Sequence, residues 1–208
     1  MSSSPLVLAT RSAGKLRELR PLFAAAGIEA IDLRDAGIVE SPAEDAIECH
    51  DTFEENARAK ARYFHRRTGL RVVADDSGLE VLALGGRPGV RSKRWSGRAE
   101  LSGAALDAAN NALLVTSLVG VPDRRARYVC VAAYADNARV FSARGEVEGE
   151  MLDVPRGTEG FGYDQYFRSR ELGVTFGEAS IVAKEVVSHR GRAFRELLRE
   201  LVAPATAR

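Results

Sequence analysis

The sequence predicts an α/β fold with a mixed β-sheet and flanking helices. Short apolar runs alternate with segments whose apolar residues recur at helical spacing, a pattern typical of alternating strands and helices. Two further strand-like segments flank Asp136-Asn137, which favours an antiparallel pair joined by a turn. The 208 residues are 45% hydrophobic and 28% charged, as in an ordinary globular protein. We therefore expect a single domain over residues 1–208, with disordered ends at residues 1–4 and 204–208.

The chain opens with a strand, a helix and a second strand. Pro5 to Ala9 is a short apolar run, and apolar residues recur at helical spacing from Gly14 to Ala26, until Gly27 ends the pattern. Ile28 to Leu33 is a second strand candidate. Arg34 to Asp51 mixes proline, glycine and acidic residues without a period, so we expect a loop there.

A capping box predicts where the second helix begins. Thr52 is the expected N-cap and Glu55 stands at the third helical position. The helix is predicted to run through about Arg67 and to end at Gly69. A strand over residues 71–74 is expected to follow it.

Turn-forming residues dominate the next segment. Asp75 to Gly78 is predicted to terminate the strand, with a short helical piece over Leu79 to Leu84 and a glycine- and proline-rich loop over Gly85 to Gly89. Loops at the ends of buried strands commonly carry functional sites. We therefore expect side chains of this region to take part in one.

The second half of the chain contains a long helix, a strand pair and a closing helix. Leu101 to Leu118 is rich in alanine and leucine, and Gly191 to Val202 is amphipathic, so both are predicted helices. The predicted strands are Arg127 to Ala135 and Arg139 to Glu148. We expect polar loops over residues 157–162 and 178–190.

Charge and cysteine content exclude several classes of protein. A net charge of +1 creates no global field that attracts nucleic acid or an anionic membrane. Cys49 and Cys130 form no CxxC pair, and His50 and His65 lack metal-ligand spacing, which excludes a zinc cluster. No segment approaches the ~20 apolar residues of a membrane span, and the N-terminus lacks the basic region of a signal peptide. We expect a cytoplasmic protein that binds neither nucleic acid nor membrane.

The segment between the first strand and the first helix is a candidate phosphate site. Thr10-Arg-Ser-Ala-Gly-Lys15 offers hydroxyls, backbone N–H groups at a helix start and a lysine. It is not a Walker A loop, because Ala9 and Leu16 stand where that motif requires glycine and a hydroxyl residue. An ordinary turn capped by Ser12 is the alternative.

Lysines are rare in this chain. Only four of the 30 basic residues are lysines, at positions 15, 60, 93 and 184. A compact ammonium group suits phosphate oxygens around a metal. A lysine retained among so many arginines can therefore mark a phosphate site, and four lysines without any function are the alternative.

Asp75 and Asp76 are the candidate catalytic carboxylates. Adjacent acids repel unless a cation or a proton compensates, and Mg²⁺ is often bound by one or two carboxylates together with substrate phosphates. A second acid can then take the proton of an attacking water. Glu48 is a further candidate metal ligand. A capping turn before Leu79 and a surface position for Glu48 are the alternatives.

Two later segments carry candidate base-binding groups. Gly160-Phe-Gly-Tyr-Asp164 places two aromatic rings between glycines, an arrangement that can stack on a flat heterocycle. It is not a dinucleotide fingerprint, because no helix clearly follows it. Lys184 and Ser188-His189-Arg190 add a dense set of donors in one predicted loop. A tight core bend and a helix cap with solvated His189 and Arg190 are the alternatives.

Taken together, five segments resemble the inosine/xanthosine triphosphate pyrophosphatase family. In chain order they are LATRSAGKLREL, DTFEENARAKAR, VADDSGLEVLALGGRPGVRS, GFGYDQYF and KEVVSHRGRAF, and they extend from Leu8 to about Leu198. The resemblance implies an elongated, two-lobed α/β fold around a long mixed sheet, with the site in the cleft between the lobes, and a homodimer. It also implies Mg²⁺-dependent hydrolysis of noncanonical purine nucleoside triphosphates (ITP, dITP and XTP) to the monophosphate and pyrophosphate, which cleanses the nucleotide pool.

The resemblance also implies roles for individual residues. Asp76 would accept the proton of the attacking water, and Glu48 and Asp76 would bind the metal with support from Asp75. The implied substrate-binding residues hold phosphate near the N-terminus and the base and sugar near the C-terminus: Thr10, Arg11, Ser12, Ala13, Gly14, Lys15, Lys60, Ser77, Phe161, Gly162, Tyr163, Asp164, Lys184, His189 and Arg190. Lys93 also falls in a matching segment.

One departure from the family concerns phosphate contact. The family usually has Thr-Gly-Asn or a similar triplet where this chain has Thr10-Arg11-Ser12. We expect weaker or differently shaped phosphate contact, since Ser12 offers fewer hydrogen bonds than asparagine. This departure leaves open a nucleotide-binding protein with weakened catalysis. A related pyrophosphatase for modified pyrimidine nucleotides is a further alternative.

Overall fold

The structure, a computed structural model, describes residues 4–44 and 46–203. Residues 1–4 and 204–208, which were predicted to be disordered, lie outside the described residues, apart from Ser4. The described strands are β1 (Leu6–Leu8), β2 (Ala30–Asp32), β3 (Arg71–Val81), β4 (Arg125–Ala135), β5 (Val140–Met151) and β6 (Phe167–Ser169). The α-helices are α1 (Ala13–Ala25), α2 (Phe53–Thr68), α3 (Gly103–Ser117), α4 (Ile181–Val187) and α5 (His189–Val202).

These strands form one mixed sheet in the order β2-β1-β3-β4-β5-β6. Strand β1 pairs in parallel with β2 and with β3, whereas β5 and β6 are antiparallel. Between β4 and β5, the N–H of Asp136 donates to the carbonyl of Arg139 at 3.1 Å and closes the predicted turn. The predicted fold class, α/β with a mixed sheet and flanking helices, is confirmed.

The chain divides into two compact units, each with its own hydrophobic core. Within the described residues, the first unit comprises the chain up to Asp76, Cys130–Gly145 and the chain from Arg190 onward, and the second comprises Ser77–Val129 and Glu146–His189. The first core includes Leu6, Leu8, Phe23, Tyr134 and Phe194. The second includes Leu79, Leu114, Tyr128, Phe167 and Phe176. The expectation of a single domain stays a prediction.

Side-chain caps begin the first two helices where the sequence predicts them. The hydroxyl of Ser12 accepts from the N–H of Lys15 at 3.3 Å, and that of Thr52 accepts from the N–H of Glu55 at 3.2 Å. Helix α2 ends at Gly69, whose φ of 67° is a left-handed conformation that glycine adopts without steric cost. Local capping thus defines the start of both helices and the end of α2.

Strand β3 corrects the prediction for residues 75–84. The segment from Asp75 to Gly78 does not end the strand, which continues to Val81, and only Leu82–Leu84 forms a short 3-10 helix. Acidic residues normally disfavour buried strands. Here Lys15 and Arg190 neutralise Asp75, and these distant partners were invisible in the local sequence.

The polar loop predicted over residues 178–190 is also wrong. Ser180 caps α4 by accepting from the N–H of Ala183 at 3.2 Å, and α5 already begins at His189. Strand β6 was not predicted, since its sequence Phe-Arg-Ser contains a single apolar residue and shows no strand pattern. Within residues 4–44 and 46–203, every helix is too short or too polar to cross a membrane.

Candidate active site

In the first unit, strand β3 buries two adjacent carboxylates. Side chains alternate between the two faces of a strand, so Asp75 and Asp76 face opposite ways. Asp75 is 1% exposed and lies 2.9 Å from Lys15 Nζ and 3.5 Å from Arg190 Nε. Lys15 comes from the first turn of α1 and Arg190 from the first turn of α5. Two helix starts therefore direct cations at one carboxylate.

The charge on Asp75 is strongly stabilised. Burial by itself raises the pKa of this carboxyl, but Lys15, Arg190 and Lys60 together hold the pKa well below its ordinary value. Arg190 also pairs with Glu18, and despite its burial this pairing raises the pKa of the guanidinium. The buried thiol of Cys130 lies 3.8 Å from the Asp75 carboxylate. Asp75 is thus ionised and held by a network of ion pairs.

Asp76 lies in a different environment. Its Oδ2 accepts from the side-chain amide of Asn56 at 2.9 Å. Burial and the negative charge of Glu48 raise the pKa of Asp76 to about 6, although Lys15, Asn56 and Lys60 act in the opposite direction. A carboxylate with a pKa near neutrality can exchange a proton with water at physiological pH.

Glu48 is held beside these acids by a lysine. Lys60 Nζ lies 2.5 Å from Glu48 Oε1 and 3.4 Å from the backbone oxygen of Asp75. Burial opposes ionisation of Glu48, but Lys60 and Lys15 lower its pKa. The alternative of an isolated surface acid is therefore wrong, because Glu48 is half-buried and paired.

The donor set suits a hard divalent cation that is shared with a substrate. Within residues 4–44 and 46–203, no cluster of three or more His, Cys, Asp or Glu side chains encloses a metal position. Mg²⁺ is usually held by one or two carboxylates, with waters and phosphate oxygens completing its shell. Asp75 Oδ1 is buried and accepts no hydrogen bond from the described residues. Glu48 and Asp76 repel each other electrostatically, and a cation would relieve that repulsion.

The predicted phosphate loop, residues 10–15, is held by hydrogen bonds within the loop and by contacts with residues 38 and 44. Thr10 Oγ1 accepts from the N–H of Ser12 at 3.2 Å, and Ser12 caps α1. Arg11 pairs with Glu44 at 2.8 Å and donates to the carbonyl of Ile38 at 3.0 Å. The ordinary capped turn is thus present. Phosphate binding by residues 10–15 stays a prediction.

In the second unit, the loop from Gly160 to Asp164 surrounds a buried lysine. Asp164 Oδ2 accepts from Lys184 Nζ at 2.7 Å and from the N–H of Phe161 at 2.8 Å. Lys184 Nζ also lies 5.2 Å from the centre of the Phe161 ring. A Cβ at Gly160 would come within 2.2 Å of the Asp164 carboxylate, so this close approach requires glycine. The loop and α4 thus present a lysine, a carboxylate and an aromatic face together.

The remaining candidates in the second unit are mostly buried. Tyr163 is 4% exposed, and its hydroxyl donates to the carbonyl of Ser92 at 2.7 Å, so this ring completes the core. His189 stacks on Tyr128 with ring centres 4.6 Å apart. Ser77 is half-buried on β3.

The structure places the donors that were predicted to share one loop on two helices. Lys184 lies on α4 in the second unit, whereas Arg190 lies on α5 in the first unit and pairs with Asp75 and Glu18. His189 and Arg190 are each 3% exposed, so the alternative of solvated side chains is wrong as well. Long-range ion pairing and ring stacking, which local sequence does not show, bury both residues.

Sequence reasoning missed Asn56 and Glu18 as parts of the site. Asn56 is 1% exposed and binds Asp76, and Glu18 pairs with Arg190. Both residues occur within the segments DTFEENARAKAR and LATRSAGKLREL that carry the family resemblance. Their positions within these matching segments were the signal that the sequence offered.

Known proteins resemble this chain over nearly its whole length. The model of the Ham1 family matches residues 6–200. A dITP/XTP pyrophosphatase of Burkholderia pseudomallei (strain K96243) is 48% identical over 201 residues, which cover 95% of this chain and 93% of that protein. The structure of a HAM1 protein from Coxiella burnetii matches with a TM-score of 0.82 at 33% identity, and covers 96% of this chain and 99% of that one. A nucleoside-triphosphatase / dITP/XTP pyrophosphatase from Mycobacterium abscessus matches with a TM-score of 0.70 at 39% identity, and covers 93% and 98%.

Proposed function

The chain belongs to the Ham1 family, and we propose that it is a pyrophosphatase that hydrolyses noncanonical purine nucleoside triphosphates. The substrates are ITP, dITP and XTP, and the products are the nucleoside monophosphate and pyrophosphate. The family resemblance inferred from five sequence segments is confirmed by these matches. The enzyme removes aberrant purines from the nucleotide pool before they enter nucleic acid. A cytoplasmic location and a homodimer stay predictions of the sequence.

The environment of Asp76 is the observation that carries this proposal. A buried carboxylate beside Glu48, with a pKa of about 6 and an amide bond from Asn56, is suited to accept a proton from water. The water attacks the α-phosphorus, and the bond between the α-phosphorus and the bridging oxygen breaks. The leaving group is pyrophosphate, and the proton of the water goes to Asp76.

Glu48 and Asp76 would hold Mg²⁺ together with phosphate oxygens of the substrate. Their mutual repulsion and the character of the donor set fit this cation. When bound, Mg²⁺ offsets the charge that develops on the phosphate oxygens. Lys60 orients Glu48 through the 2.5 Å ion pair. Asp75 keeps Lys15 and Arg190 in place.

Lys15 and the start of α1 favour a polyanion in the first unit. Backbone N–H groups at a helix N-terminus and a nearby ammonium group both stabilise phosphate oxygens. Thr10 and Ser12 order this turn by hydrogen bonds to their own backbone. The triphosphate therefore meets a site that is already formed.

Lys184 and Phe161 in the second unit suit a 6-oxopurine. Hypoxanthine and xanthine present an O6 acceptor to a donor such as Lys184, whereas adenine presents an amino group. A donor left unpaired in a buried site costs roughly 1 to 3 kcal/mol. The Phe161 ring offers an apolar face for the base.

A second candidate, a nucleotide-binding protein with weakened catalysis, is favoured by one observation. Arg11 is paired with Glu44, and the Ser12 hydroxyl caps α1. The two residues that differ from the family's triplet, Arg11 and Ser12, therefore already have partners within the protein. Binding of ITP with Mg²⁺ but without pyrophosphate release would support this candidate.

The proposed bond cleavage is tested by hydrolysis of ITP in ¹⁸O-labelled water. Attack at the α-phosphorus places the label in inosine monophosphate and leaves pyrophosphate unlabelled. Label in pyrophosphate, or release of inorganic phosphate with inosine diphosphate, would overturn the assignment. Asp76→Asn serves as the control for a contaminating phosphatase.

A further inference from the structure

Helix α3 holds the backbone of Gly162 from both sides. The N–H of Gly162 donates to Asp107 Oδ2 at 2.9 Å, and Asn111 Nδ2 donates to the carbonyl of Gly162 at 2.9 Å. Asp107 and Asn111 are four residues apart, so they lie on one face of the helix. One residue of the loop is thus fixed by two side chains of a rigid element.

The residue that these side chains fix determines the geometry of the loop. Gly162 has a φ of 62°, which other residues rarely adopt, and it separates Phe161 from Tyr163. The N–H of Phe161 donates to the same Asp164 oxygen that accepts from Lys184. A rotation of the peptide groups at Gly162 would therefore move both the Phe161 ring and the Asp164–Lys184 pair.

Asn111 is not bonded as a purely structural asparagine would be. It is buried, but its Oδ1 accepts no hydrogen bond within the described part of the chain. Most buried side-chain polar atoms have at least one hydrogen-bond partner, so an unbonded one calls for an explanation. The neighbouring Asn110 follows that rule, since its Oδ1 accepts from Ser96 N–H at 2.8 Å and its Nδ2 donates to Lys93 O at 3.0 Å.

We propose that Asp107 and Asn111 are positioning residues for base recognition. They act through Gly162, and they orient the Phe161 ring and the Lys184–Asp164 pair toward a 6-oxopurine. This inference rests on the proposed function, because it assigns base recognition to that same loop. In this proposal, neither side chain contacts the substrate.

The test compares selectivity in matched variants. We expect Asn111→Ala and Asp107→Ala to lower the ratio of kcat/KM for ITP to kcat/KM for ATP by about fivefold to tenfold, the effect of one or two lost hydrogen bonds. The loss is expected mainly in KM for ITP. Asp107→Asn keeps an oxygen that accepts from Gly162 and is expected to stay within about twofold of the wild-type ratio.

Asn110→Ala is the matched control on the same helix. It removes a buried asparagine that holds residues 93–96, so it lowers stability without loosening Gly162. Destabilisation reduces the amount of folded enzyme and lowers both kcat/KM values in proportion. The selectivity ratio of Asn110→Ala is therefore expected to equal that of the wild type. Thermal unfolding of each variant gives the stability change for comparison.

The outcomes separate this inference from the proposed function. Absence of pyrophosphate release from ITP by the wild type would defeat the proposed function itself. The positioning role alone would be overturned if the wild type prefers ITP but Asn111→Ala and Asp107→Ala leave the ratio of kcat/KM for ITP to that for ATP unchanged. It would also be overturned if Asn110→Ala lowers this ratio as much as they do. If Asn111→Ala fails to fold, the half-buried Asp107 carries the same test through its alanine and asparagine variants.

Discussion

Asp75 and Asp76 are neighbours in sequence, yet their pKa values shift in opposite directions. Asp75 forms ion pairs with Lys15 and Arg190, and these lower its pKa despite complete burial. Asp76 faces the other side of β3, where burial and Glu48 raise its pKa to about 6. One strand thus carries a carboxylate that ion pairs hold in its charged form and a carboxylate whose pKa lies near neutrality. The two residues are expected to respond differently to the same substitution.

Asp76→Asn is expected to abolish most activity without loss of folding. The amide oxygen can still accept from Asn56, but it cannot take a proton from water, so kcat for ITP should fall at least about tenfold. Steady-state kinetics and thermal unfolding of the purified variant measure the two effects. A near-normal kcat in the folded variant would remove Asp76 from the role of base.

Asp75→Asn is expected to destabilise the protein. It leaves the ammonium of Lys15 and the guanidinium of Arg190 without their shared anion in a buried site, at a cost of about 3 kcal/mol. Chemical denaturation of Asp75→Asn beside Asp76→Asn provides the comparison. Equal stability of the two variants would contradict the division of roles between the acids.

Stability in EDTA is expected to depend on pH through Asp76. Its folded pKa of about 6 exceeds the ordinary value of 3.8, so the folded state binds the proton more tightly than the unfolded state. The contribution of Asp76 to stability is therefore full below pH 3.8 and is lost as pH rises through 6. Asp76→Asn should then be more stable than the wild type at pH 8 by about 2 to 3 kcal/mol.

Denaturation at pH 8 and at mildly acidic pH checks this dependence. The difference in the free energy of unfolding between wild type and Asp76→Asn is expected to shrink as pH falls below 6 and to vanish below 4. A wild type that is the more stable protein at pH 8 in EDTA would show that the electrostatic description of Asp76 is wrong.

Ser12→Asn is expected to improve phosphate contact and leave the fold intact. Serine and asparagine are about equally good N-caps, so the cap on Lys15 N–H is retained. The added amide donor is expected to raise kcat/KM for ITP by about threefold or more. Ser12→Ala, which loses the cap, should cost about 1 kcal/mol of stability. A lower kcat/KM for ITP in Ser12→Asn would contradict the interpretation that Ser12 makes weaker phosphate contact than asparagine.

Local signals in the sequence were sufficient for elements that local interactions define. Thr52 and Gly69 fixed the ends of α2, and Ser12 fixed the start of α1, because caps and left-handed glycines act within one turn. The segment from Asp75 to Gly78 misled the prediction, since its composition favours a turn. Ion pairs with Lys15 and Arg190, remote in sequence, allow it to remain in a strand.

The candidate site was predictable mainly through the order of its motifs. Composition and spacing singled out Asp76 and Lys184, but they did not show that Asn56 bonds Asp76 or that Arg190 pairs with Glu18. The contact of Asn111 with Gly162 joins residues 51 positions apart. Such contacts depend on the packing of whole elements, which periodicity does not encode.

Pyrophosphate release from a panel of triphosphates, in Mg²⁺ and in EDTA, measures the proposed activity and its selectivity together. The panel contains ITP, XTP, dITP, ATP, GTP and one modified pyrimidine triphosphate. We predict metal-dependent turnover of the first three at least about 100-fold faster in kcat/KM than of ATP and GTP, a difference of about 2.7 kcal/mol. Preference for the pyrimidine, equal turnover of ATP and ITP, or no turnover by folded protein would contradict the account.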